Sequence, residues 1–227
     1  MNRAYLIDLG TMAYQEAHHF QTDCLEWRLN EKNGTDLFLI VDHMPVFTLG
    51  KRGGRESLTV AESFVKSKGV DIVQTERGGD ITYHGPGQLV VYPIVHLRQA
   101  KLSVASYVEL LEEVMIATVA EVGVEANRDE RNRGLWVGNN KIGSIGIRVR
   151  HGVVFHGLAL NVSIDFEHFN WIQPCGLSGV GVTSVAHELG NPVDFSAVKE
   201  IMIRHLSLLF GREFTRVSKS FVSGGGV

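Results

Sequence analysis

Cys175 and Lys141 are the side chains in this sequence whose types and settings suit nucleophilic chemistry. Cys175 lies between Pro174 and Gly176 in the glycine-rich stretch FNWIQPCGLSGVGVTSV, off any periodic apolar stripe. A thiol in such a loop becomes a nucleophile when a cation or a helix N-terminus lowers its pKa, because the thiolate is the reacting form. An inert loop cysteine fits the same residues equally well. Lys141 follows an Asn-Asn turn, the usual place of a solvated hairpin lysine, but it opens KIGSIGI, whose glycines leave room against a strand. A third stretch, RGGDITYHGPGQ from Arg77 to Gln88, holds four glycines and one proline around Tyr83 and His84. Glycine permits positive φ and close backbone approach to a ligand, and Pro86 suits a turn. The segment therefore reads as a loop, neither helix nor strand, that brings polar groups up to something. His43 and His156 are further histidine candidates. The sequence contains no HExxH, CxxC, GxxxxGK[ST] or GxSxG, which removes the common metalloprotease, nucleotide and serine-hydrolase readings.

These residues need a frame. Residues 4–9 predict a strand, and Thr11 is placed to cap a helix running to about Glu31, with Ala13, Ala17, Phe20, Cys24 and Trp27 on one face. That face accounts for Cys24 as a small core residue. Gly34 ends the helix. Leu37–Val41 and Val46–Gly50 read as strand, turn, strand, followed by the basic loop KRGGRE, a helix over 57–68 and a strand over 70–75. The Arg77–Gln88 loop is thus held between that strand and the next, Leu89–Val95. Ser106 with Glu109 offers a capping box to a helix whose stripe runs from Val104 to Val122. The charged run NRDERNR, 127–133, reads as a solvated loop. A hairpin follows over 134–149 with its turn at 138–140, then a strand over 153–163. The last helix begins near Asp194, and residues 221–227 read as a disordered tail.

A chain of 227 residues, 44% hydrophobic and 21% charged, is long enough to bury a real core, so one α/β domain over 1–220 is the simplest organisation. A net charge of −3, from 22 basic and 25 acidic residues, supplies no long-range attraction to nucleic acid or an anionic membrane. No signal peptide or run of about 18 apolar residues is present, which implies a cytoplasmic protein. Two cysteines make no disulfide framework.

Taken together, His43–Gly50 (HMPVFTLG), Arg77–Gln88, Lys141–Gly146 (KIGSIG), His156–Asn161 (HGLALN) and Pro174–Leu177 (PCGL) resemble the lipoyl(octanoyl) transferase family, nearly end to end and in family order. The resemblance implies an α/β catalytic fold shared with biotin and lipoate protein ligases: a large mixed sheet, a smaller sheet and flanking helices. It implies an acyltransferase that moves an octanoyl or lipoyl group from the thioester of acyl carrier protein to a lysine on lipoyl domains. The acceptors implied are the E2 subunits of 2-oxoacid dehydrogenases and the glycine cleavage H protein. Cys175 would carry the acyl group and Lys141 would activate it. Arg77, Gly78, Gly79, Asp80, Ile81, Thr82, Tyr83 and His84 would form one wall of the substrate pocket, with Ser144, Ile145, Gly146, Gly157, Leu158 and Ala159 opposite. Backbone N–H groups near Gly176 or Gly157 and the His84 side chain are candidate donors to the developing oxyanion. Lys51, Arg52 and Arg55 of KRGGRE could meet an acidic carrier protein. No metal and no cofactor is called for. An ATP-dependent lipoate or biotin ligase is the alternative enzyme, and a non-catalytic acyl-protein binding module the alternative from another class.

Overall fold

The structure, a computed structural model, describes residues 2–30, 34–130, 132–173 and 180–223. Strand β1 (Asn2–Met12) extends through Thr11, which pairs with Asp42 and does not cap a helix. The neighbouring strand satisfies its backbone groups, and that ladder overrides the local capping signal. Helix α1 (Tyr14–Asn30) therefore starts later than expected, but it buries the predicted Ala17, Phe20 and Cys24. Burial pushes the Cys24 thiol well above its usual range, which leaves it an inert core residue.

Strand β2 (Asp36–His43) runs parallel to β1. Its Phe38 and Ile40 enter one core, while Leu37, Leu39 and Val41 enter another, as the two-residue period of a strand covered on both faces requires. At Met44-Pro45 the chain leaves this sheet for a second one. There β3 (Val46–Leu49) lies between β4 (Asp71–Gln74), to which it is parallel, and β5 (Ile81–His84), to which it is antiparallel. The Arg77–Gln88 segment is thus not all loop, because strand-forming Ile81, Thr82 and Tyr83 pair with β3. Helix α2 (Glu62–Ser67) occupies only part of the expected 57–68.

Strand β6 (Gln88–His96) returns to the large sheet, and α3 (Val104–Glu121) follows. Its capping box is Ser103 with Ser106, one turn earlier than expected: the Ser106 N–H donates to Ser103 Oγ at 3.0 Å and the Ser103 N–H to Ser106 Oγ at 3.2 Å. The predicted hairpin is β7 (Gly134–Val137) and β8 (Asn140–Arg150), and β9 (Val153–Asn161) follows. A short β10 (Gly181–Val182), helices α4 (Val185–Leu189) and α5 (Phe195–Phe210), and β11 (Arg212–Arg216) complete the frame. Asp194 caps α5 as expected, accepting from the Ser196 N–H at 2.9 Å.

Among the described residues the large sheet has eight strands in the order β10-β8-β9-β6-β2-β1-β11, with β7 on β8. Helices α3 and α5 cover one face and α1 the other. The chain is accordingly a mixed α/β fold with a large mixed sheet, a smaller sheet and flanking helices. The expected tail starts too early: α6 (Ser220–Ser223) seats Phe221 against Tyr5, with ring centroids 4.3 Å apart, and buries Val222. Among the described residues no helix is long and apolar enough to cross a membrane.

Candidate active site

A cavity of about 1290 Å³ opens where β5 and the residues before it face β8 and β9. Lys141 is one of the residues that line it. Its backbone is paired on both sides, with Trp136 of β7 and Val182 of β10, and the Thr183 N–H donates to its carbonyl at 3.0 Å. Its Nζ donates to Asn132 Oδ1 at 3.1 Å and to the Arg133 carbonyl at 3.0 Å, and stands 5.1 Å from the centroid of the Trp136 ring. Gly134 (φ +129°) makes this path possible, since a Cβ there would come within 2.9 Å of Lys141 Cε. Its Nζ is held by these acceptors at the cavity wall, an arrangement that leaves it close to whatever enters.

Arg77 ties the cavity's two sheets together. Its guanidinium donates to the Thr48 carbonyl at 2.6 Å, to Thr48 Oγ1 at 2.8 and 3.2 Å and to the Gly78 carbonyl at 3.0 Å, while the Gly78 N–H donates to Ile147 on β8 at 2.9 Å. Gly146 was expected to leave room for a ligand. Its space is instead taken by protein, because a Cβ would lie 3.0 Å from Arg77 Cδ and 3.2 Å from the Gly78 carbonyl.

His84 is oriented by a chain of buried amides whose directions are set by main-chain carbonyls. The Thr183 carbonyl can only accept, so Asn161 Nδ2 donates to it at 2.9 Å and Asn161 Oδ1 must accept. Gln88 Nε2 then donates to Asn161 Oδ1 at 2.9 Å and to the Tyr83 carbonyl at 3.3 Å, so Gln88 Oε1 accepts from His84 Nδ1 at 2.6 Å. With its proton on Nδ1, neutral His84 carries a lone pair on Nε2. It is an acceptor, which removes it from the candidate oxyanion donors. His43 is not part of the cavity lining. It is fully buried, with Nδ1 donating to the Met12 carbonyl at 3.2 Å and Nε2 2.7 Å from the Tyr92 hydroxyl.

Burial lowers the pKa of His84 to about 3, helped by the nearby His43 and opposed by the Gln88 hydrogen bond, and burial lowers that of His43 to about 4. Both are neutral in the fold near pH 5, whereas in the unfolded chain they titrate near 6.5. The unfolded chain therefore binds more protons below that value. Stability is full above about pH 6.5 and falls as pH drops toward the folded values. Between about pH 7.5 and pH 5 each histidine should cost about 2 kcal/mol, and urea midpoints at the two pH values measure it. A His84→Gln variant should lose about 2 kcal/mol less than the parent over this interval; an unchanged pH dependence would mean that His84 is charged in the fold.

Of the residues expected to contact substrate, Arg77, Gly78, Gly79, Asp80, Ile81, Thr82, His84, Ser144, Ile145, Gly146, Gly157, Leu158 and Ala159 line the cavity together with Lys141. Tyr83 does not. Its neighbours on β5 alternate faces, and its ring stacks on His168 at 4.5 Å in the core under the small sheet. Cys175 and Gly176 lie outside the described residues. Gln173 and Val180, which bracket that stretch, both line the same cavity as Lys141. Sequence reasoning missed Asn132 and Arg133, because NRDERNR read as a solvated loop. The signal was available in the hairpin, whose tight turn sets Lys141 opposite Trp136 and within a side chain's length of the residues before Gly134. Gln88 and Asn161 had no such signal, since only the pairing of β6 with β9 places them opposite each other.

Residues 13–207 match the family described as the lipoyl protein ligase A/B catalytic domain. The chain is 49% identical over 216 residues to the octanoyltransferase of Desulfotalea psychrophila, covering 94% of this chain and 96% of that protein. It is 41% identical over 218 residues to the octanoyltransferase of Syntrophobacter fumaroxidans, covering 94% and 93%. In structure it resembles the bi-partite lipoate protein ligase of Thermoplasma acidophilum, described with its E2 lipoyl domain, at a TM-score of 0.79 and 17% identity over 99% of this chain and 91% of that one. That likeness fixes the fold, and the sequence identities fix the family: the chain belongs to the lipoyl protein ligase A/B catalytic domain family and, within it, to the octanoyltransferases.

Proposed function

We propose that the chain transfers an octanoyl group from the thioester of acyl carrier protein to a lysine of lipoyl domains, through a thioester on Cys175, with Lys141 moving the protons. Neutral Lys141 takes the Cys175 proton. The thiolate attacks the donor carbonyl, the bond to the carrier thiol breaks, and that thiol leaves with the proton from Lys141. The acceptor amine then attacks the acyl-enzyme, a C–N bond replaces the C–S bond, and the amine's proton returns to Cys175 through Lys141. His84 lines the cavity, and its acceptor Nε2 suits the N–H of the incoming amine. The observation that carries this reading is Lys141 at the wall of a cavity that Gln173 and Val180, on either side of the Cys175 stretch, also line.

Ile145, Leu158, Ala159, Phe166 and Phe169 supply the apolar lining that a fatty chain needs. Exposed Lys51 and Arg52, the latter at the cavity, suit an acidic carrier protein, whereas Arg55 is paired with Glu62 at 2.6 Å. The acceptors are the lipoyl domains of 2-oxoacid dehydrogenase E2 subunits and the glycine cleavage H protein.

Incubation with octanoyl carrier protein and no ATP should add the mass of one octanoyl group to the chain, and Cys175→Ser should abolish the adduct. Strict dependence on ATP with no adduct would replace this reading with that of a ligase.

A further inference from the structure

His18 on α1, Glu76 immediately before Arg77 and His156 on β9 are far apart in sequence, yet their ligand atoms all lie within 4.8 Å of one another. His18 Nε2 is 3.2 Å from Glu76 Oε2, and His156 Nε2 is 3.7 Å from Glu76 Oε1. A tetrahedral ion with bonds of about 2.0–2.1 Å spaces its ligands about 3.4 Å apart, which the two distances to Glu76 already approach. Glu76 and His18 are not part of the lining of the acyl cavity; His156 reaches its edge.

A histidine beside a carboxylate is commonly just its hydrogen-bond partner, and His18 fits that description. His156 does not. It is 1% exposed, and neither Nδ1 nor Nε2 has a hydrogen-bond partner among the described residues, the 3.7 Å approach to Glu76 being too long. A buried imidazole without partners is costly. The backbone of His156 carries a second cost, a left-handed φ of 57°, and its N–H is held there by Gln21 Oε1 at 2.6 Å. Its ring is packed between Phe155, at 4.8 Å, and His18, at 5.6 Å.

We propose that His18, Glu76 and His156 form a binding site for one Zn²⁺ ion, which fastens α1 and β9 to the residue that leads into Arg77. Two imidazoles and one carboxylate are a donor set that suits zinc, and the ion would give His156 the partner it lacks. Because Glu76 adjoins Arg77, the ion would brace the wall of the acyl cavity from behind. The proposal stands apart from the transfer reaction.

The test uses Co²⁺ as a coloured substitute for zinc, in full-length protein carrying Cys175→Ser so that this thiol cannot bind the ion. One equivalent of Co²⁺ should give a visible absorption band of a four-coordinate ion, and Zn²⁺ should bleach it. His18→Ala and Glu76→Gln, each in the same background, should lose the band. These two side chains are 31% and 39% exposed, so both variants should still melt cooperatively. Zn²⁺ should raise the melting temperature of the parent and leave both variants unmoved. Absence of stoichiometric Co²⁺ binding, or a band that persists in both variants, overturns the site.

Discussion

Replacing Lys141 with alanine should lower octanoyl transfer about 10²- to 10⁴-fold, the usual worth of a positioned proton carrier, while the melting temperature stays close to that of the parent. The small stability effect follows from the setting: the side chain is half-buried at the cavity wall and donates to Asn132 Oδ1 and the Arg133 carbonyl, both neutral groups. The large kinetic effect follows from the proposed roles, since both half-reactions pass a proton through Nζ. Lys141→Arg separates proton transfer from charge alone. Arginine keeps the positive charge and the donors but does not release a proton near neutrality, so it should not restore the rate. Steady-state rates with octanoyl carrier protein and a lipoyl domain, together with the mass of the acyl-enzyme, make the measurement. Near-parental activity in Lys141→Arg would rule out the proton role and leave only an electrostatic one.

The largest stability effect should come from a residue distant from the acyl cavity. Asp36, at the start of β2, is 2% exposed and receives Arg28 Nε at 3.0 Å, the His96 N–H at 3.3 Å, and Arg212 at 2.6 and 3.1 Å. Arg28 is 1% exposed and projects from α1, and Arg212 opens β11, so a single carboxylate ties one helix to two strands of the large sheet. Asp36→Ala leaves the Arg28 guanidinium buried without its counter-charge. Such a loss costs about 3–5 kcal/mol, which for a chain of this size lowers the melting temperature by about 6–20 °C. Asp36→Asn, which keeps one acceptor oxygen, should fall between the two. Denaturant unfolding gives the comparison, and a loss below about 1 kcal/mol for alanine would show that water replaces the carboxylate at Arg28. Activity per folded molecule should be unchanged, because Asp36 does not contribute to the cavity lining.

Local signals were legible where the physics is local. Asp194 heads α5 because a carboxylate there accepts the Ser196 N–H, and the β7–β8 turn forms because Gly138, at φ +55°, tolerates the conformation it needs. The apolar spacing of Ala17, Phe20 and Cys24 marked the buried face of α1 even though the helix start was misplaced. Local signals failed wherever a partner strand outcompeted them. Thr11 reads as a cap but lies in β1 because Asp42 pairs with it, and Ile81–His84 reads as a glycine-bordered loop but is a strand because β3 runs alongside. Nothing near Met44-Pro45 announces that the two apolar runs on either side belong to different sheets.

By itself, then, the sequence pointed to the family, the α/β class and, of the fourteen residues expected to contact substrate, the thirteen that line the cavity with Lys141, and it raised the Cys175–Lys141 chemistry proposed above. These rest on residue types and on spacings within one element or one turn, where the interacting groups are close along the chain. Only the tertiary structure decided that Tyr83 turns away into the core, that Asn132 and Arg133 hold Lys141, that Gln88 and Asn161 set the tautomer of His84, and that His18, Glu76 and His156 meet. Each of these depends on strand register or on packing between distant segments, and a one-residue change in register would send those side chains to the opposite face.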